Sequence, residues 1–78
     1  MDGYTEFATA LGKRVKESRK EAGMSQRALA DRIGVTDRAV VNYEHGWRCM
    51  SAWTLLKICK VLGISADEML GLRTEGER

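Results

Sequence analysis

Residues 25–46 read SQRALADRIGVTDRAVVNYEHG, and the pattern inside this stretch decides the fold. Ser25 is a residue type that caps helix N-termini, and Leu29, Ala30 and Ile33 follow at spacings that gather on one helical face. The pattern predicts a helix from a Ser25 cap to Ile33, with Asp31 and Arg32 pointing away. Gly34 and Val35 make a tight turn, where glycine lets the backbone reverse while both helices stay in contact. Thr36 then caps a second helix that Gly46 ends. Val40 is its clearest buried position, with Ala39 and Tyr43 beside it. Its other side carries Asp37, Arg38, Val41 and Asn42, an unusual mixture for a face that meets only water.

The flanks repeat the same grammar. Phe7, Leu11, Val15, Ser18 and Ala22 recur at steps of three and four, which predicts a helix that Gly23 stops. Gly12 inside that run costs about 1 kcal/mol against alanine. Beyond Gly46, residues 47–50 form a connecting loop, and Ser51 caps a helix with Leu55, Ile58, Cys59 and Leu62 on one side. Leu56 lies at the edge of that stripe, and Gly63 ends the helix. Ser65-Ala66-Asp67-Glu68 has the form of a capping box, in which serine and glutamate side chains reciprocally satisfy free backbone donors. A short helix through Met69 and Leu70 follows, closed by Gly71. No segment alternates with period two, and the chain has no proline. The fold class expected is all-α, a compact five-helix bundle. Residues 1–5 are expected to be a flexible lead-in, 6–72 one domain, and 73–78 a flexible tail.

Seventy-eight residues suffice for one small core. With 44% hydrophobic and 31% charged residues, the chain has the composition of a globular domain. No apolar run approaches the roughly 18 residues of a membrane span, and the N-terminus lacks a signal-peptide pattern. The cytoplasm is the expected location, with no membrane partner. The net charge of +2 is small, but its distribution is uneven. Between Phe7 and Arg48 nine basic side chains face five acidic ones, a local balance of +4. From Cys49 onward the charges cancel, so the positive field surrounds the helix pair.

Catalytic and metal chemistry find little to work with. His45 is the only histidine, and Cys49 and Cys59 are the only cysteines. A structural zinc site usually takes four such ligands, so no metal is expected. The cysteines are expected to be reduced. His45 lies beside Gly46 at a helix end, where a polar or cationic side chain suits the helix dipole. No glycine-rich phosphate loop occurs. Neither an enzyme nor a cofactor is expected.

Two helices joined by a glycine-containing turn of three or four residues form the helix-turn-helix unit, whose second helix can enter the DNA major groove. The residues around it carry a resemblance that extends the point. Leu11-Gly12-Lys13-Arg14-Val15-Lys16-Glu17-Ser18-Arg19-Lys20 and Gly23-Met24-Ser25-Gln26 resemble the opening of Cro/repressor-type helix-turn-helix domains, the XRE family. The similarity continues through Leu29-Ala30, Ile33-Gly34-Val35, Val40, Glu44 and Gly46. It resumes at Thr54-Leu55-Leu56-Lys57-Ile58 and Leu62-Gly63-Ile64-Ser65, and covers about residues 10–72. Each element alone is weak; the ordered set is specific.

The resemblance implies a lambda-repressor-like domain that binds a double-stranded DNA operator as a homodimer, with the helix at 36–45 in the major groove. Asp37, Arg38, Val41 and Asn42 fall on the family's base-reading positions. Arginine can bind guanine O6 and N7 together, asparagine can pair with adenine N6 and N7, and valine can meet a thymine methyl. Aspartate can accept from cytosine or repel phosphate. Gln26 opens the preceding helix, where free N–H groups and an amide favour a phosphate oxygen. Arg27, Thr36 and Arg48 complete the expected DNA-backbone contacts. Arg19 and Glu44 correspond to a pair that ties the first helix to the third. Met69, Leu70 and Leu72 are the candidate dimer residues. Two positions depart from the family pattern: Met50 stands where relatives often have proline, and Trp53 where they are commonly polar. With Trp47 they place two tryptophans near one loop, which either form an interface or fold back on the core.

The function these residues imply is a sequence-specific transcriptional regulator, acting as a repressor. The alternatives are an antitoxin or a restriction–modification controller built on the same domain. A further alternative is a protein-interaction module that has lost DNA binding, in which Gln26, Arg38 and Asn42 would be absent or apolar.

Overall fold

A computed structural model describes residues 3–72. Five helices follow in order: α1 Tyr4–Glu21, α2 Gln26–Ile33, α3 Asp37–His45, α4 Ala52–Leu62 and α5 Ala66–Leu70. Among the described residues there is no strand. The hydroxyls of Ser25, Thr36, Ser51 and Ser65 each accept from the backbone N–H three residues on, at 3.0–3.1 Å. Four helices therefore begin at the caps read from the sequence, each of which satisfies a donor that the helix leaves free.

The N-terminal boundary differs from expectation. Helix α1 begins at Tyr4, and Gly3 supplies the carbonyl that Phe7 N–H meets at 2.9 Å, so residues 4 and 5 of the expected lead-in are helical. Residues 1–2 and the tail 73–78 lie outside the described residues. The capping box at Ser65 is only half formed. Ser65 accepts from Glu68 N–H, but the Glu68 carboxylate meets the Ser65 hydroxyl at 3.4 Å, not its backbone N–H.

The core is built from Leu11, Val15, Leu29, Ala30, Ile33, Val40, Ile58 and Met69, with Cys59 at its margin. Helix α3 lies chiefly against α1 and α2, and α4 closes the other side of α2. The buried face of α1 is rotated from the predicted stripe. Ala8, Leu11, Gly12, Val15 and Arg19 face inward, whereas Phe7 is 37% exposed and Ala22 is exposed. Gly12 is the reason. A Cβ there would overlap the Tyr43 carbonyl oxygen and stand 2.7 Å from that of Glu44. The backbone of α1 thus touches the end of α3 directly, and that contact sets which face of α1 turns inward. The apparent helix-weakening residue is a packing requirement.

Met69 is fully buried beneath α1 and α4, which removes it from the candidate dimer surface. A short helix has little room for a two-sided role, and α5 spends its methionine on the core. Leu70 is half-buried, and Leu72 is 73% exposed. The tryptophans resolve the other way from core packing, Trp47 being 69% and Trp53 65% exposed.

Candidate nucleic-acid interface

Helix α3 presents two unlike sides. Val40, Tyr43 and Glu44 point inward and are buried. Asp37 and Arg38 are exposed, and Val41 and Asn42 are half-buried on the outer side. Thr36 Oγ1 accepts from Ala39 N–H at 3.1 Å, which leaves its own hydroxyl hydrogen unspent at the helix entrance. At the far end, the Asn42 carbonyl accepts from Trp47 N–H at 3.0 Å and Arg48 N–H at 3.3 Å. These bonds fold the chain back and set the exposed Arg48 side chain beside the helix end.

A buried polar cluster clamps this helix from behind. Arg19 Nε donates to Glu44 Oε2 at 2.7 Å, and Arg19 Nη2 to Glu44 Oε1 at 3.1 Å. Arg19 Nη1 donates to the Met24 carbonyl at 2.9 Å. The side chains are 8% and 2% exposed, so the pair is desolvated. Such a pair persists only when its remaining donors and acceptors are met, and no buried side-chain polar atom among the described residues lacks a partner. Gln26 completes the cluster by donating from Nε2 to Glu44 Oε1 at 3.0 Å. The sequence reading gave Gln26 a phosphate contact. The structure joins it to the Arg19–Glu44 pair, with one amide hydrogen spent there and the second pointing elsewhere. α1, α2 and α3 are thereby tied through one carboxylate.

Arg27 and Asp37 sit across the turn, Arg27 Nη1 being 3.8 Å from Asp37 Oδ2, with side chains 78% and 55% exposed. An exposed pair at this distance contributes about 0–1 kcal/mol, so both groups remain available. Two supporting residues were not foreseen. Lys57 Nζ donates to the Ile33 carbonyl at 2.7 Å, bracing the end of α2 from α4. Arg14 Nη1 donates to the Met69 carbonyl at 3.2 Å and ties α5 to α1. Nothing local marks either residue, because a basic side chain reads alike whether it caps a distant carbonyl or faces water.

The family model described as helix-turn-helix matches residues 15–69, which span the clamp, the turn and α3. The chain belongs to the helix-turn-helix family. It is 37% identical over 62 residues to the HTH-type transcriptional regulator ImmR of Bacillus subtilis, covering 80% of this chain and 49% of that one. Among solved structures it is similar to the restriction-modification controller protein C.AhdI from Aeromonas hydrophila. There the TM-score is 0.75 and the identity 32%, over 80% of this chain and 94% of the other. It is also similar to SinR, the master regulator for biofilm formation, solved in complex with DNA. That match has a TM-score of 0.73 and 33% identity, over 77% of this chain and 97% of the other. The chain spans about half the length of ImmR. Within the helix-turn-helix family this chain is of the XRE type, an all-α bundle with the lambda-repressor-like architecture.

Proposed function

We propose that this protein is a sequence-specific DNA-binding transcriptional regulator that acts as a repressor by placing α3 in the major groove of its operator. The observation that carries the reading is the outer face of α3. It carries Arg38, Val41 and Asn42 on its outer side, on a helix locked from behind by Arg19, Glu44 and Gln26. In this reading Asp37 restricts the permitted bases, while Gln26, Arg27, Thr36 and Arg48 contact phosphate. The likeness to a regulator solved with DNA supports the same partner.

The protein acts as a homodimer on a two-fold site. The longest extent of the domain is 32 Å, on the scale of the ~34 Å that separates half-sites one turn of B-DNA apart. With Met69 in the core, the self-contact falls to Trp53 and Leu56 on the outside of α4, together with Leu70 and Leu72. The reading requires no chemical step, metal or cofactor. Its site of action is the cytoplasm, where the operator is. Among the alternatives, a restriction–modification controller is favoured by the likeness to C.AhdI across 94% of that chain.

Selection of bound sequences from a random duplex pool tests the reading. A palindrome with half-sites one helical turn apart is the expected product. Recovery of no common sequence, at a salt concentration where non-specific binding is weak, would overturn it.

A further inference from the structure

We infer that Lys57 is a positioning residue for DNA reading: its ammonium fixes the entrance of α3 through the carbonyl that ends α2, and so sets base preference at Arg38. The inference rests on the regulator reading above. Helix α3 is held unequally along its length. At its exit the Glu44 carboxylate takes Arg19 and Gln26, and the Asn42 carbonyl takes the N–H groups of Trp47 and Arg48. Val40 anchors the middle in the core. At the entrance the Thr36 hydroxyl bonds within α3 itself, to Ala39 N–H, and Thr36, Asp37 and Arg38 are all exposed. Where Arg38 stands therefore depends on the turn that precedes it.

That turn has little packing of its own. Gly34 lies at φ 74 with open space where a Cβ would stand, and Val35 is the turn side chain that reaches the margin of the core. The N–H groups of Gly34 and Val35 both go to the Ala30 carbonyl, so neither meets the carbonyl of Ile33. Lys57 Nζ does, at 2.7 Å, from a residue 24 positions along the chain. A helix leaves its last carbonyls free and carries partial negative charge there, so an ammonium in contact satisfies an acceptor and a dipole together. Only Gly34 and Val35 separate Ile33 from Thr36, and this bond thus ties the approach to α3 onto α4.

The amine reaches out from a fixed base. Ile58 and Cys59, next to Lys57 in the chain, are buried in the core, and α4 packs on α2. Lys57 Nζ also lies 5.2 Å from the centre of the Trp53 ring. The ring is 65% exposed, so the short bond to a helix end outweighs the cation–ring contact, and Lys57 acts on α2. A bidentate contact from Arg38 to guanine needs both guanidinium N–H groups aligned. Attraction to phosphate falls only slowly with distance. A small displacement of the α3 entrance therefore costs discrimination at Arg38 before it costs attraction to DNA.

Competition titrations on a single half-site, where pairing of copies does not enter, test this. They compare wild type with Lys57→Met, Lys57→Arg, Lys60→Met and Trp53→Ser across the single-base variants of the selected sequence. Arg38→Ala and Asn42→Ala first assign a base position to each side chain. Lys57→Met is expected to reduce preference at the Arg38 position by about tenfold, the scale of one good base contact, and to leave the Asn42 position unchanged. It should bind a scrambled duplex like Lys60→Met, which removes the same charge from α4. Lys57→Arg keeps a donor and should recover most of the preference, and Trp53→Ser, which leaves the bond to Ile33, should match wild type. If Lys57→Met does not fold, Lys57→Gln is read in its place against the same outcomes. Unchanged preference, or a loss spread evenly over every position, overturns the inference and leaves the regulator reading standing. An Arg38→Ala variant that shifts no base preference overturns it too, as does a Trp53→Ser loss equal to that of Lys57→Met. A wild type that prefers no sequence overturns both readings.

Discussion

At Gly12 two effects oppose each other, and their sizes decide the outcome. Alanine gains about 1 kcal/mol of helix propensity over glycine, but its Cβ would overlap the Tyr43 carbonyl, a backbone atom that cannot move aside cheaply. Gly12→Ala is therefore expected to lower stability by about 3 kcal/mol, read as a shift in the urea midpoint at unchanged slope. Gly34, which meets open space, serves as the contrast: Gly34→Ala is strained only by its left-handed φ of 74 and should cost about 1–2 kcal/mol. Equal losses at the two positions would refute the close-packing account of Gly12. Glu44→Ala strands the buried Arg19 guanidinium and is expected to cost about 3–5 kcal/mol. Arg19→Met with Glu44→Leu should recover much of that, since no isolated charge then remains buried. Burial raises the Cys59 thiol above its usual value of 9.0. A raised folded-state value means that the neutral thiol stabilises the fold below the unfolded value, and that this contribution is lost as pH rises through the folded one. Stability should fall above about pH 9, less steeply in Cys59→Ala, and a thiol reagent should modify the half-buried Cys49 before Cys59.

Helix α3 shows how an element is given a task by what holds it. Its Thr36 cap and Gly46 stop define its length, its inner side chains set its depth, and the cluster at Glu44 fixes its rotation. The proposed contacts on it differ in kind, so their removal should differ in kind. Arg38→Ala is expected to cost about 1–3 kcal/mol on the selected operator and to relax preference at one base position. Arg48→Ala should weaken all duplexes alike and reduce the salt dependence by about one unit. Competition titrations across single-base operator variants and three salt concentrations separate the two. Identical behaviour of both mutants would mean that α3 does not lie in the groove as proposed. α1 teaches the complementary lesson. Its apolar spacing was readable, but the inward direction was not, because Phe7 and Ala8 satisfy the same helical period and only the partner helix chooses between them.

For the molecule as a whole, the proposed pairing of two copies would draw on the exposed apolar side chains. Trp53 and Leu56 lie three apart on the outside of α4, beside a groove of about 340 Å³ lined by Ala52, Leu55, Cys59 and Ile64. Lys57 Nζ sits 5.2 Å from the Trp53 ring centre and steadies it. Trp53→Ser with Leu56→Ser is expected to yield a folded monomer by light scattering, with half-site affinity retained and full-operator affinity reduced by two orders of magnitude or so. A dimer that survives this change would place the interface elsewhere.

What this sequence determined alone was most of the local structure, though not the start of α1 or the half-formed capping box at Ser65. Four serine and threonine caps, the glycine stops and the three-and-four apolar spacing specify five helices and an all-α class, since each signal acts within a few residues. The outer residues of α3 were legible for the same reason: a polar side on a short helix stands out without its neighbours. Only the tertiary structure decided the rest. That Gly12 is a contact surface, that Gln26 shares a carboxylate with Arg19, that Met69 is core and Trp53 surface, and that His45 stacks on Trp47 all depend on which helix faces which. Those choices are settled by volume, desolvation and hydrogen bonding between elements, some of them dozens of residues apart, and no single stretch of sequence carries that information.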